Sequence, residues 1–212
     1  CDLIPVQSEA FIEPAAKVGA DRKKLVYFPN WVESIFKPVD VAEDAPERYE
    51  IPTGNFVVMF AGNLGEAQSL ETIIGAANIL REFPISWVFL GDGRRKVWLE
   101  EEVAQKSLNQ VLVLGSRPLE TMPVYFSLAD VMLVTLRDDP VMSATIPSKV
   151  QSYLACGRPI IGALNGEGAK VINESKSGFT ITSGDEKDLA DAVFKMSKLS
   201  KEECQLMGDS GR

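Results

Sequence analysis

The stretch Phe56-Val57-Val58-Met59-Phe60-Ala61-Gly62-Asn63-Leu64-Gly65 decides the fold. Six apolar residues without polar alternation read as a strand covered on both faces, and the glycine turn that follows leads into a helical pattern. In that pattern Leu70, Ile73, Ile74, Ala77 and Leu80 share one helical face, and Phe83-Pro84 is expected to stop the helix. This is a βα unit. Further runs repeat it downstream: Trp87–Leu90, Val111–Leu114, Val131–Val134, Pro159–Gly162 and Gly178–Ile181 read as strands. Near the end, Leu189, Ala192, Val193, Met196 and Leu199 form another apolar face behind Asp185, a candidate N-cap. Six strands in βα order predict an α/β fold, a Rossmann-like doubly wound parallel sheet.

Upstream the pattern changes. Asp2–Gln7 reads as one buried strand, Ser8 is placed to cap a short helix, Tyr27–Asp40 is a connection, and Pro46 to Gly54 is a polar loop. Residues 1–54 are therefore expected to be the tail of a preceding domain plus an interdomain linker, with residues 55–212 as the Rossmann-like domain. The alternative makes 1–54 the first βα unit of the same domain. The chain starts at Cys1 rather than at methionine, the mark of processing or of a piece of a longer protein.

Composition narrows the function classes. With 45% hydrophobic and 25% charged residues the 212-residue chain has the make-up of a globular protein. A net charge of −8 opposes broad attraction to nucleic acid. The absence of histidine and the wide spacing of Cys1, Cys156 and Cys204 exclude a Ser-His-Asp triad and a structural zinc site. No transmembrane segment is expected, since no apolar run approaches the roughly 20 residues a bilayer requires. With no signal-peptide pattern at the start, the chain reads as cytoplasmic.

Ligands of such sheets bind beyond the carboxyl ends of the strands, where backbone N–H groups collect at helix N-termini. Four loops there carry suggestive chemistry. Gly62-Asn63-Leu64-Gly65 lets backbone approach a phosphate; the competing reading is a plain tight turn. Gly91-Asp92-Gly93-Arg94 fits a ligand loop or a sharp turn with a solvated arginine. Ser116-Arg117 after the third strand could meet a planar base, or Arg117 could face solvent beside a helix-starting Pro118. The long segment Ser143-Ala144-Thr145-Ile146-Pro147-Ser148-Lys149 fits a diphosphate site in which N–H donors give geometry and Lys149 gives charge; the alternative is a Ser-capped helix. Asp138-Asp139 reads as a solvated loop. Neither glycine cluster completes a dinucleotide fingerprint, which argues against an oxidoreductase.

Taken together and in order, a set of motifs is similar to the C-terminal domain of the large family of retaining glycosyltransferases with the GT-B fold. These are Tyr27-Phe28-Pro29-Asn30-Trp31-Val32 running to Phe36-Lys37-Pro38, Phe60-Ala61-Gly62-Asn63-Leu64, Gly91-Asp92-Gly93, Leu128-Ala129-Asp130-Val131, and Pro147-Ser148-Lys149 leading to Tyr153-Leu154-Ala155-Cys156-Gly157-Arg158-Pro159. The resemblance covers nearly the whole chain. It implies the half of a two-domain enzyme that grips a sugar nucleotide, while the N-terminal half presents a saccharide or lipid-linked acceptor at the inner face of the plasma membrane. The resemblance also implies that anomeric configuration is retained and that no metal cofactor is expected. Many members place Arg and Lys on the diphosphate where this chain has Asn63 and Gln68, and a Glu-x7-Glu motif where it has Ala144 and Ser152. The combination of Gly62-Asn63-Leu64-Gly65, Gln68 and Pro147-Ser148-Lys149 is similar to N-acetylfucosamine transferases of O-antigen or capsule assembly. The donor expected from that resemblance is a UDP-linked, N-acetylated sugar. UDP-sugar 2-epimerases and a non-catalytic sugar-nucleotide-binding module are the alternatives. No residue of this chain is assigned a catalytic role.

Overall fold

The computed structural model describes all 212 residues. Two short strands, β1 (Ile4–Val6) and β2 (Leu25–Tyr27), pair in parallel around helix α1 (Ile12–Lys17). They pair only with each other, apart from the main sheet. An extended connection then leads to β3 (Phe56–Ala61), α2 (Leu70–Ile79), β4 (Ile85–Leu90), α3 (Lys96–Gln105), β5 (Val111–Gly115), α4 (Met122–Leu128) and β6 (Val131–Thr135). After these come α5 (Pro140–Ala144), α6 (Ser148–Ala155), β7 (Ile160–Ala163), α7 (Glu167–Glu174), β8 (Gly178–Ile181), α8 (Glu186–Met196) and α9 (Lys201–Gly211).

The six long-range strands form one all-parallel sheet in the order β5-β4-β3-β6-β7-β8. The order runs outward in one direction from β3 and in the other from β6. Connections therefore leave these two central strands toward opposite edges, and a crevice opens between their carboxyl ends. Side-chain alternation along β3 builds both layers. Val58 and Phe60 join a core with Leu70, Ile73, Ile74, Leu189 and Val193 from α2 and α8. Val57, Met59 and Ala61 join a second core with Tyr125, Phe126, Val150 and Tyr153 from α4 and α6. Each fully buried side chain of this size contributes about 1.5–3 kcal/mol relative to exposure, so covering both faces is what fixes the central strands.

Several sequence expectations shift. Helix α2 ends at Ile79, before Phe83-Pro84 is reached, and Leu80 N–H bonds back to the carbonyl of Ala76. The long loop after β6 contains the helix α5. Asp139 is not simply solvated: its carboxylate accepts from the N–H groups of Val141 and Met142 and caps α5. Asp138 accepts instead from the side-chain amide of Asn165. Asp185 does cap α8, accepting from Lys187 and Asp188.

Candidate functional site

The loops leaving the carboxyl ends of β3, β4 and β5 are stitched together through backbone. Gly62 N–H donates to Leu90 O at 2.8 Å, Leu64 N–H to Asp92 O at 2.8 Å, and Gly91 N–H to Gly115 O at 2.9 Å. This contact explains the glycines. A Cβ on Gly91, which sits at φ +142°, would collide with the carbonyl oxygen of Gly62, and one on Gly93 would collide with that of Leu64. Gly91 and Gly93 therefore serve loop-on-loop packing more than close approach of a ligand.

On the other side of the crevice, α6 starts at Ser148 with Pro147 as its N-cap, a residue whose side chain makes no capping hydrogen bond. The alternative of a Ser-capped helix does not hold at this position: Ser148 is already helical and exposed. The helix is anchored by Tyr153, whose buried hydroxyl accepts from Ala61 N–H at 3.1 Å and donates to Ala61 O at 3.0 Å. Burial pushes that phenol's pKa up, so it stays a neutral donor.

Between these walls lies Lys149. Its ammonium donates to the side-chain carbonyl of Gln68 at 2.7 Å and stands 3.8 Å over the ring of Phe60. Gly62, at φ +133°, leaves it room, since a Cβ there would sit 3.2 Å from the Lys149 nitrogen. No carboxylate pairs with it. Burial alone lowers its pKa from 10.5 to about 7.

Two cavities meet at Gly62, Asn63 and Met122. One, of about 450 Å³, is lined by Gly62, Asn63, Gln68, Thr145, Pro147, Ser148, Lys149 and Ser152, with Phe36, Met122, Phe126 and Tyr153 among its apolar walls. The other, of about 290 Å³, is lined by Gly62, Asn63, Leu90, Gly91, Asp92, Ser116, Arg117 and Met122. The fold thus gathers twelve of the nineteen residues singled out in the sequence around one cleft. The other seven are placed differently. Leu64, Ala144 and Ile146 are buried packing residues, and Gly65, Gly93, Arg94 and Ser143 lie outside both linings. Arg94 is exposed, as the solvated-turn reading has it.

Arg117 requires a correction. Its guanidinium is not free to lie against a base: it pairs with Glu50, meets the Tyr125 hydroxyl at 3.0 Å and donates to Leu114 O at 2.5 Å. The bond to Glu50 raises its pKa, and that residue comes from the loop before β3, out of reach of any local sequence pattern. Phe36 was also missed as a wall of the cleft. It stacks on Phe126 at 5.9 Å, which carries the connecting segment onto the site.

A larger cavity of about 520 Å³ lies at the open edge of β8 and is lined by Asp188 and Asp191 with Lys195. Two carboxylates against one ammonium suit an anion poorly, and the loops of the crevice do not reach it.

The chain matches the family model described as "Glycosyl transferases group 1" over residues 55–198. It is 29% identical over 159 residues to the putative colanic acid biosynthesis glycosyl transferase WcaI of Escherichia coli K12, covering 74% of this chain and 39% of that protein. It is 28% identical over 184 residues to the probable glycosyltransferase WbjE of Pseudomonas aeruginosa, covering 84% and 45%. The chain therefore spans less than half the length of these relatives. Among solved structures it is similar to Alr3699/HepE of Anabaena in complex with UDP-glucose, with a TM-score of 0.82 at 17% identity over 100% of this chain and 58% of that one. The likeness confirms the doubly wound sheet as that of the C-terminal domain of GT-B glycosyltransferases.

Proposed function

From the premise that the chain belongs to the group 1 glycosyl transferases, we propose that it is the donor-binding half of a retaining glycosyltransferase whose donor is a nucleoside diphosphate sugar. One observation carries the reading: an ammonium without a carboxylate partner, Lys149, faces the Gly62 turn at the point where the strand order reverses. The diphosphate occupies that point, held by Lys149 and by the uncapped first turn of α6. A cation and helix dipole at this place also stabilise the diphosphate as it leaves the sugar.

The base lies in the second cavity, against backbone at Ser116 and Gly91, with Arg117 held back by Glu50 as part of the wall. UDP is the donor nucleotide; the support is a protein of the same fold that holds UDP-glucose. The N-acetylfucosamine assignment rests on the resemblance of the Gly62–Gly65 and Pro147–Lys149 segments. The acceptor is a saccharide or lipid-linked precursor of surface polysaccharide, in keeping with the colanic acid relative. It binds a part of the protein beyond these 212 residues, at the cytoplasmic face of the membrane. In this reading residues 1–54 are the end of that other domain plus the linker, supported by the separate pairing of β1 with β2.

Titration with UDP, GDP and ADP while following backbone amide shifts tests the proposal. The expected result is perturbation of Gly62–Gly65, Gly91–Gly93, Ser116 and Ser143–Lys149, strongest with UDP. A preference for GDP refutes the base, and shifts confined elsewhere refute the site. Transfer by the 212-residue chain alone would refute its role as half a cleft.

A further inference from the structure

We propose that Gln68 is the positioning residue for Lys149: its neutral amide holds the ammonium at the Gly62 turn while leaving its charge uncompensated for the donor diphosphate. The inference rests on the diphosphate reading of the cleft and adds a residue that acts without touching the ligand.

A lysine is a point charge on a flexible stem, so something must fix where its nitrogen stands. A carboxylate partner would do so, but it would also cancel the charge. Here the neighbouring carboxylates are engaged elsewhere. Glu66 faces Arg95 at 3.0 Å and Arg137 at 3.7 Å. Asp92 accepts from the N–H of Gly93 at 2.7 Å, and Asp138 and Asp139 bond to Asn165 and to the first turn of α5. The helices against the cleft, α4 and α6, contribute no other charged side chain.

Gln68 itself is held by a turn. Its carbonyl accepts from the Thr135 hydroxyl at the end of β6, and its N–H donates to Gly65 O at 3.1 Å. The next residue, Ser69, takes the left-handed conformation at φ +46°, with its hydroxyl 2.9 Å from that of Thr72. The side-chain amide therefore leaves a backbone pinned to the end of β6 and to the loop that follows β3. Its oxygen and the face of Phe60 give Lys149 two neutral contacts, and the remaining side of the ammonium is left to the cavity.

Two substitutions separate positioning from packing. Gln68→Glu keeps the contact but pairs the charge, and Gln68→Met keeps the volume but loses the acceptor. The titration midpoint of Lys149, read from its side-chain carbon and nitrogen resonances without ligand, should rise in Gln68→Glu. UDP affinity measured by calorimetry should fall by about tenfold or more in Gln68→Glu and less in Gln68→Met. Melting temperature serves as the control for folding. An unchanged Lys149 midpoint in Gln68→Glu would show that the contact is absent in solution. UDP affinity within twofold of the original in both variants would overturn the positioning role while leaving the donor reading intact. If the unsubstituted protein binds no nucleoside diphosphate, the donor reading falls and the proposal falls with it.

Discussion

Donor binding should be linked to uptake of a proton by Lys149. Burial over Phe60 lowers this ammonium from 10.5 to about 7. Well above about pH 7, therefore, only a minor fraction of the free molecules carries the charge that the diphosphate needs. The bound diphosphate favours the charged form and raises the pKa in the complex. Affinity for a nucleoside diphosphate sugar, whose esterified phosphates keep their charge in this range, should then fall about tenfold per pH unit above 7 and level off below it. Calorimetry at about pH 8 in buffers of different ionisation heat should register uptake of a large part of one proton per donor bound. Lys149→Met keeps the apolar stem and removes the charge. It should weaken binding at about pH 6 by roughly 1.5–3 kcal/mol, or about 10- to 150-fold, and abolish the pH slope. Stability gives an independent check with the opposite sense. The folded pKa lies below the unfolded value, so the unfolded chain binds more protons between about 7 and 10.5, and the contribution of Lys149 to stability rises with pH across that window. Lys149→Met should flatten that rise. An affinity that stays flat from about pH 6 to 9 in the unsubstituted protein, or an equal slope in Lys149→Met, would refute the reasoning.

Two further outcomes follow from the walls of the cleft. Gly91→Ala places a methyl group against the Gly62 carbonyl at a left-handed φ of +142°, so the two loops must separate; UDP binding should drop severalfold with a lower melting temperature, and normal values of both would contradict the stitched-loop description. Tyr153→Phe strips both Ala61 backbone groups of their bonds to the phenol in a buried site. It should cost about 1–3 kcal/mol of unfolding free energy in a denaturant titration, and a loss below that range would mean another group or water satisfies Ala61.

The strands were legible because each is covered on both faces and so is written as an unbroken apolar run. The edges were less so. β4 begins at Ile85, two residues before the run at Trp87, because the intervening Ser86 is buried with its hydroxyl bonded to Asn55 at 3.0 Å. Helix α2 announced itself by its apolar face, whereas α3 buries only Leu99 and leaves almost no periodic signal. Helix α9 has a start written in the sequence, the reciprocal Ser200–Glu203 capping box. The site divides in the same way. Glycine turns and Lys149 are visible because they sit at strand ends, but their partners are set by the fold. Gln68 meets Lys149 across 81 positions, and Glu50 takes Arg117 across 67. Nothing local in the chain foretells either pairing.

The two walls of the cleft belong to strands that neighbour each other in space but not in sequence. β3 pairs with β6 from Val58 to Val131, and the Tyr153 hydroxyl closes on Ala61 over 92 positions. No contiguous early portion of the domain can assemble this cleft. During synthesis, residues through β6 must emerge before β3 acquires its second neighbour, and through α6 before the cleft is complete; until β6 arrives the unpaired edge of β3 is exposed to other chains. Long-range closure of this kind is slow relative to local helix formation. The appearance of nucleotide binding during refolding would therefore time the joining of the two halves of the sheet, a clock that helix-sensitive signals do not provide.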